Sequence, residues 1–429
     1  MTARTTGRLR GNLSLHRRKA RLWTSAALGD PVSAVLCLPR GAAGYARYER
    51  IRERGDLVRG RSGLYMTASH RICDEVLRSD AFGAVPTTVS KVRLRASPEE
   101  REGGPVLVHP LDDSFASVDP PDHTRLRKIV APWFTPHALR SRRQFVEQVV
   151  AERLDRLAPT TSLDLISEFA VQVPSLVICD LLGLPTTDHD RFVRWGIEFG
   201  AIVDGARTPG EFRRTRALLD EMSRYFSALV EERRRHPGPD LVSRMVEAER
   251  EGAMTREGVV ATSEALLIGG FVTTSNIIGN GVLALLAHPE QREVFTADLD
   301  QSDRVVEETL RLDAPAQYSV RIVRRACEVG GVELPVGTPV VTLLAAANRD
   351  PEVFPDPARF DLSRPNLREH LSFAAGIHYC IGAGLARMEG EIALRALFER
   401  FPLLRQTGPA RYCPSRVIRG PMSLPMRCS

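Results

Sequence analysis

Apolar positions recur at intervals of three and four along several long stretches of the chain and alternate only along short ones. That balance predicts a helix-rich chain. The longest periodic stretch, Thr255–Ala287, is apolar on most sides, as a central buried helix should be. Its middle is unusual: Gly269-Gly270 precedes Thr273-Thr274. Two glycines mid-helix cost roughly 2 kcal/mol against two alanines. The Thr273 hydroxyl can bond the carbonyl of Gly269, which would open or bend the helix. Further helices are expected over Ser69–Ser79, with Ser69 as N-cap, from Asp119 to Lys128, and over Val149–Glu168. A segment from Ile178 is stopped by Gly183 and Pro185, and helices follow over Arg191–Val203 and Arg213–Arg235, around a turn at Gly205–Gly210. Val305–Leu312 is one more. Leu64–Met66, Tyr318–Val323 and Glu328–Val340 read as strands. Phe82–Ser117 has no sustained period and several prolines, so it reads as a long loop.

Against this background Phe373–Arg387 stands out: F-A-A-G-I-H-Y-C-I-G-A-G-L-A-R. Gly376, Gly382 and Gly384 bracket Cys380 and let the backbone approach a flat ligand. From Leu385 onward the period becomes helical, so Cys380 lies on a glycine-rich loop feeding a helix N-terminus. Free N–H groups and the helix dipole there favour thiolate over thiol. A thiolate so held is a metal ligand or a nucleophile. A dinucleotide site fails, because Arg387 stands where the third glycine is needed.

The stretch resembles the haem-binding signature of the cytochrome P-450 family at every fixed position, namely Phe373, Gly376, His378, Cys380, Gly382, Leu385, Ala386 and Arg387. The resemblance extends over about residues 60–425, in which Arg419–Pro421 with Leu424–Pro425 resemble the family's closing hairpin. That likeness implies a single-domain fold, mainly α with a small β lobe, and haem b with Cys380 as axial ligand of the iron. It implies haem contacts from Phe373, Gly376 and Gly382, and propionate contacts from His378, from His123 and Arg127 on the Asp119–Lys128 helix, and from Arg321. Gly269, Gly270 and Thr273 would form the oxygen-binding groove. Glu308, Arg311 and Arg359 would make a charge network behind the haem. Phe271, Val272 and Tyr318, with parts of 83–117 and 199–210, would line the substrate pocket, with the Arg191–Arg235 helix pair as its lid. At Val272 the chain departs from the family, which places a carboxylate there to pass protons.

Composition narrows the setting. Residues 1–60 hold 13 Arg/Lys against 4 Asp/Glu, a charge of +9 in a chain of net +6. They read as a basic arm and entry segment, with 61–429 as the catalytic domain. No aromatic interleaving or DNA-binding motif accompanies the charge, which argues against nucleic acid. No apolar run approaches the roughly 18 residues that span a membrane. The 7 cysteines show no disulfide or zinc spacing. A cytoplasmic protein is expected, and the excess of arginine over lysine suggests GC-rich bacterial coding. With no flavin or iron–sulfur motif, electrons for a monooxygenase must come from a separate ferredoxin or flavodoxin, docked near Arg125 and Lys128. A peroxygenase using H2O2, an oxidative coupling or cyclisation enzyme, and a non-catalytic partner protein are the other readings.

Overall fold

The computed structural model describes residues 20–37, 44–84, 108–111, 113–157, 161–204 and 208–428. After a helix over 20–27 come α1 (Pro31–Cys37), α2 (Gly44–Arg52), α3 (His70–Arg78), α4 (Asp122–Val130), α5 (Pro136–Leu157) and α6 (Gln172–Leu182). Then follow α7 (His189–Ile202), α8 (Pro209–Arg235), α9 (Leu241–Arg250), α10 (Arg256–Ala287), α11 (Pro289–Ala297), α12 (Ser302–Leu312), α13 (Leu344–Ala347) and α14 (Ala383–Arg400). Local chemistry sets many of these ends. The side chains of Ser69, Thr208, Asp240 and Thr255 cap α3, α8, α9 and α10 by accepting a backbone N–H. Gly183 closes α6 at φ +69°, a conformation that glycine reaches at least cost.

The β lobe is a sheet in the order β1 (Val58–Arg59), β2 (Tyr65–Thr67), β8, β5, β3 (Phe82–Ala84). Here β4 is Ser162–Asp164, β5 Ser319–Val323, β6 Cys327–Val329, β7 Val332–Leu334 and β8 Pro339–Thr342. β2 and β8 run parallel with Tyr65 opposite Val340, and the remaining neighbours are antiparallel. The last strands, β11 (Pro421–Ser423) and β12 (Pro425–Arg427), do not form the expected hairpin. β11 pairs with 411–412, whereas β12 pairs with β4 and with 405–406.

α10 is the axis of the helical part and packs against α6, α7, α8, α12 and α14. It is long and apolar enough to cross a membrane, contrary to the sequence-based expectation, but its most apolar window is largely buried in the protein. Close approach needs small residues at the crossings. A Cβ on Gly270 would fall 2.6 Å from Ile178 of α6, and one on Gly196 of α7 would fall 2.0 Å from the Phe271 ring. The helix runs without interruption through Gly269–Thr274.

Two boundaries move. The helix expected over 149–168 starts at Pro136 and ends at Leu157, because Asp164 accepts the N–H groups of Ile166 and Ser167 and starts a separate turn. Residues 31–37 and 44–59, within the expected arm and entry segment, pack on the β lobe. Val32, Val35, Tyr48 and Ile51 are buried with Met66, Val341 and Leu343 of the β lobe, and Tyr48 donates its hydroxyl to Gln317 at 3.1 Å. Of the long loop, Phe82–Ala84 is a strand, and 85–107 lies outside the described residues, as do 205–207 of the Gly205–Gly210 turn.

Candidate active site

The cysteine loop is shaped from below. Gly376 has φ +70°, and a Cβ there would sit 2.3 Å from the carbonyl oxygen of Leu77, at the end of α3. Only glycine fits. The Cys380 N–H donates to the Phe373 carbonyl at 3.0 Å, closing the loop before α14 begins at Ala383. Cys380 is surrounded by protein and yet exposed, as a group on the floor of a cavity would be. A Cβ on Gly382 would meet nothing within 4 Å, so this glycine faces open space.

The thiol does not match the expectation in one respect. Burial raises its pKa, and the Gly382 N–H, Arg127 and Arg387 only partly offset that. The loop by itself does not hold a thiolate; a coordinated metal would, since coordination deprotonates a thiol outright.

Arg387 is anchored beneath the loop. It donates to Glu307 at 2.5 Å and to the Tyr379 hydroxyl at 3.0 Å, with its guanidinium 4.6 Å from the Phe373 ring centre. Glu307 also meets His370 at 2.9 Å. Burial would raise the Glu307 carboxyl, but His370 and Arg387 hold it down at about 2. Sequence reasoning missed Glu307, although its place beside Glu308 was a usable signal.

One side of the site gathers four basic side chains, of which the two imidazoles lack partners. The His123 and His378 rings lie 4.4 Å apart, and His123 Nδ1 and Nε2 and His378 Nε2 are buried without hydrogen bonds. Burial, with Arg321 and His123 adding to it, lowers His378 to about 4; burial and Arg127 lower His123. Arg321 is 8% exposed, bonds Ser319 Oγ at 2.6 Å, and is pulled to about 10 by burial. Arg127 donates to the Tyr379 carbonyl at 2.7 Å. Asp119 acts on His123, His378 and Arg321 but is itself engaged by Arg324 and the Ala84 N–H. Three of these four basic groups thus share one engaged carboxylate, and orphaned imidazole nitrogens point to missing acceptors. Haem, with two carboxylates on a flat ring, fits this set.

The other wall is α10. Gly269 is exposed in the middle of an otherwise buried helix, and a Cβ there would meet nothing within 4 Å. The Thr273 hydroxyl donates to the Gly269 carbonyl at 3.1 Å, and both residues border the open space. Gly270, expected beside them in the groove, is instead a packing glycine against Ile178. Phe271, expected in the pocket lining, is 0% exposed and fills the notch at Gly196. One residue is 100° of helix, so Phe271 lies about 200° from Gly269. Val272 and Tyr318 are half-buried, and Val272 Cγ1 lies 3.5 Å from a Cβ placed on Gly200 of α7. The residue in the family's acid position therefore supports the covering helix.

Behind the loop, Glu308 and Arg311 are fully buried and paired through both oxygens, at 2.6 and 2.8 Å. The third member is not Arg359, whose side chain is exposed and whose carbonyl alone accepts from Arg311. Arg364 takes the place, donating to Glu308 at 3.1 Å and to the Asp356 and Arg359 carbonyls. Also unforeseen is Glu389 on α14, 1% exposed with both oxygens unpartnered, whose carboxyl burial raises well above the usual range. A groove of about 540 Å³ between α5 and α14, lined by Arg143, Glu147, Glu391 and Arg395, shares no residue with this cluster.

The profile of the family described as Cytochrome P450 matches residues 206–415. The 6-deoxyerythronolide B hydroxylase of Saccharopolyspora erythraea is 36% identical over 363 residues, covering 81% of this chain and 88% of that protein. Ligand-free CYP164A2 of Mycobacterium smegmatis has a TM-score of 0.82 at 34% identity, with 92% of this chain and 99% of that one covered. CxnD, a cytochrome P450 enzyme for C–S bond formation in chuangxinmycin biosynthesis, has a TM-score of 0.81 at 29% identity, with 91% and 95% covered. Likeness at this level, along most of the chain and with a cysteine loop and orphaned imidazoles that suit haem, carries fold, cofactor and enzyme class together: the chain belongs to the cytochrome P450 family of haem-thiolate monooxygenases.

Proposed function

We propose that the protein oxidises a small, largely apolar organic molecule, an intermediate of natural-product biosynthesis, in the bacterial cytoplasm. O2 and two electrons from a separate ferredoxin or flavodoxin are consumed. The observation that carries this is the opening at Gly269, with the Thr273 hydroxyl at its edge and mainly apolar neighbours such as Val272. Haem held by Cys380 supplies the redox chemistry. His123, His378, Arg127 and Arg321 bind its carboxylates, and Thr273 offers a hydroxyl to hold water or a proton above it. Val272 has no proton to give, so the substrate's own hydroxyl or carboxyl completes the relay. Natural-product relatives support the substrate class, the hydroxylase and CxnD among them.

Electrons enter at the cysteine face, where Ile377 and Tyr379 are exposed beside basic side chains. Lys128 is exposed there; Arg125 is exposed too, but is tied to Asp122 at 2.6 Å and to the Ala253 carbonyl, so its charge is partly spent. Lys128→Glu should slow reduction by ferredoxin more than Arg125→Glu, in a salt-dependent way. Reduction indifferent to both changes and to salt moves the docking site elsewhere. For the substrate class, natural-product intermediates are screened for a low- to high-spin Soret shift, and hits are assayed for oxygenated product. A panel in which only polar, unrelated compounds shift the band refutes the class. Val272 also favours a second reading, oxidative coupling or ring closure, because such a reaction needs less proton delivery. Product without incorporated oxygen from a shifting compound would decide for it.

A further inference from the structure

We infer that Asp204 is a positioning residue: it pins the covering helix α7 to the turn 415–418 and thereby sets how fast substrate enters and leaves. This rests on the proposed monooxygenase site and adds a determinant to it. α7 packs on α10 where Gly196 meets Phe271 and Gly200 meets Val272, so its C-terminal end lies against the residue next to Thr273. Just past that end, the Asp204 carboxylate accepts three bonds from three consecutive residues. Oδ1 takes the Ser415 hydroxyl at 3.1 Å and the Val417 N–H at 3.0 Å, and Oδ2 takes the Arg416 N–H at 2.6 Å. Cys413 Sγ adds a 4.0 Å contact to the Gly200 carbonyl.

The turn that Asp204 holds is fixed on its other sides to the floor of the site. The Gln317 N–H donates to the Val417 carbonyl at 2.9 Å, and Ile418 bridges to Ala316, two residues before Tyr318. Gly420 presses on α10 at Asn276, one turn beyond Thr273; a Cβ there would lie 2.0 Å from the Asn276 side-chain oxygen. Arg416 reaches α1 through the Cys37 carbonyl at 2.8 Å. The floor side is therefore rigid, and the joint that can part is the one at Asp204. Bonds to a carboxylate are stronger than neutral ones, and lifting the end of α7 breaks three of them together.

The test uses the haem-loaded, full-length protein with phenylimidazole, an azole that ligates ferric haem iron, followed by stopped-flow absorbance. Asp204→Ala removes every acceptor and should raise association and dissociation rates by about tenfold each. Kd should move by less than about threefold, because the bound contacts are unchanged. Asp204→Asn keeps the Oδ1 bonds, loses the Oδ2 acceptor, and should fall between. Hydrogen exchange at the Arg416 and Val417 amides should quicken in the same order. Unchanged rates in Asp204→Ala, or amides that stay protected, overturn the assignment. If Asp204→Ala does not retain haem, Asp204→Asn decides by the same readouts, and wild-type rates in it overturn the assignment. A wild-type protein that fails to bind the azole instead defeats the functional reading on which the latch rests.

Discussion

Glu389 is 1% exposed and has neither oxygen hydrogen-bonded, so burial keeps it protonated in the fold. The unfolded chain ionises that carboxyl at its ordinary value, near pH 4.3. Below that pH its contribution to stability is fully present; it drains away as pH rises toward the raised folded value. Glu389→Gln removes the penalty, so its Tm should match wild type near pH 4.5 and exceed it increasingly up to pH 8. A Tm difference that does not change with pH would show the carboxyl to be charged in the fold. Burial of this kind is invisible in a sequence, since Glu389 follows Met388 in a helical pattern that admits a surface glutamate equally well. The cysteine loop was legible because its constraints are local: Gly376 answers to one carbonyl oxygen, and Gly382 faces open space. The groove was legible as a stretch but not in direction. Helical arithmetic would have turned Phe271 away from Gly269, and the notch at Gly196 that receives it belongs to another helix.

At the scale of elements, the joint behind the cysteine loop shows the same division. Glu308 and Arg311 are one turn apart on α12, so their pairing is written in the spacing. The third guanidinium comes from a turn with no period, in which Asp356 takes φ +46° and Arg364 reaches back to Glu308 and to the Pro355, Asp356 and Arg359 carbonyls. A sequence offers no rule for choosing Arg364 over Arg359 there. The two differ in consequence. Arg364→Ala should cost about 3–5 kcal/mol, because it leaves buried charge and carbonyls unpaired, whereas Arg359→Ala should stay within about 0.5 kcal/mol. Urea unfolding of the two variants measures this directly, and equal losses would restore Arg359 to the network. Helix boundaries were legible where a cap or a stop glycine marked them, as at Ser69, Thr255 and Gly183. They were lost around Asp164, whose side chain builds a turn inside an otherwise helical pattern.

On the scale of the whole molecule, the helical body with its β lobe was foreseeable from periodicity and resemblance, but the N-terminal boundary was not. Arginine-rich surface masked buried residues such as Val32, Val35, Tyr48 and Ile51, whose two i,i+3 pairs are too short to declare a helix face. A chain beginning at residue 61 should therefore lose β1 and uncover the sheet, giving insoluble protein without the reduced-CO Soret band, while one beginning at Asp30 keeps the band. Full haem content in the shorter chain would return 31–37 and 44–59 to the status of an arm. The pairing that joins the early and late strands of the sheet bears also on biosynthesis. Tyr48 meets Gln317 and β2 meets β8 some 270 residues further along the chain. At about 5–20 residues per second on the ribosome, the emerging first segment waits tens of seconds for its neighbours, a natural client for holding chaperones. The cysteine loop emerges later still, at residue 380 of 429. Cofactor capture must wait for that loop, so haem can be held only after most of the chain has been made.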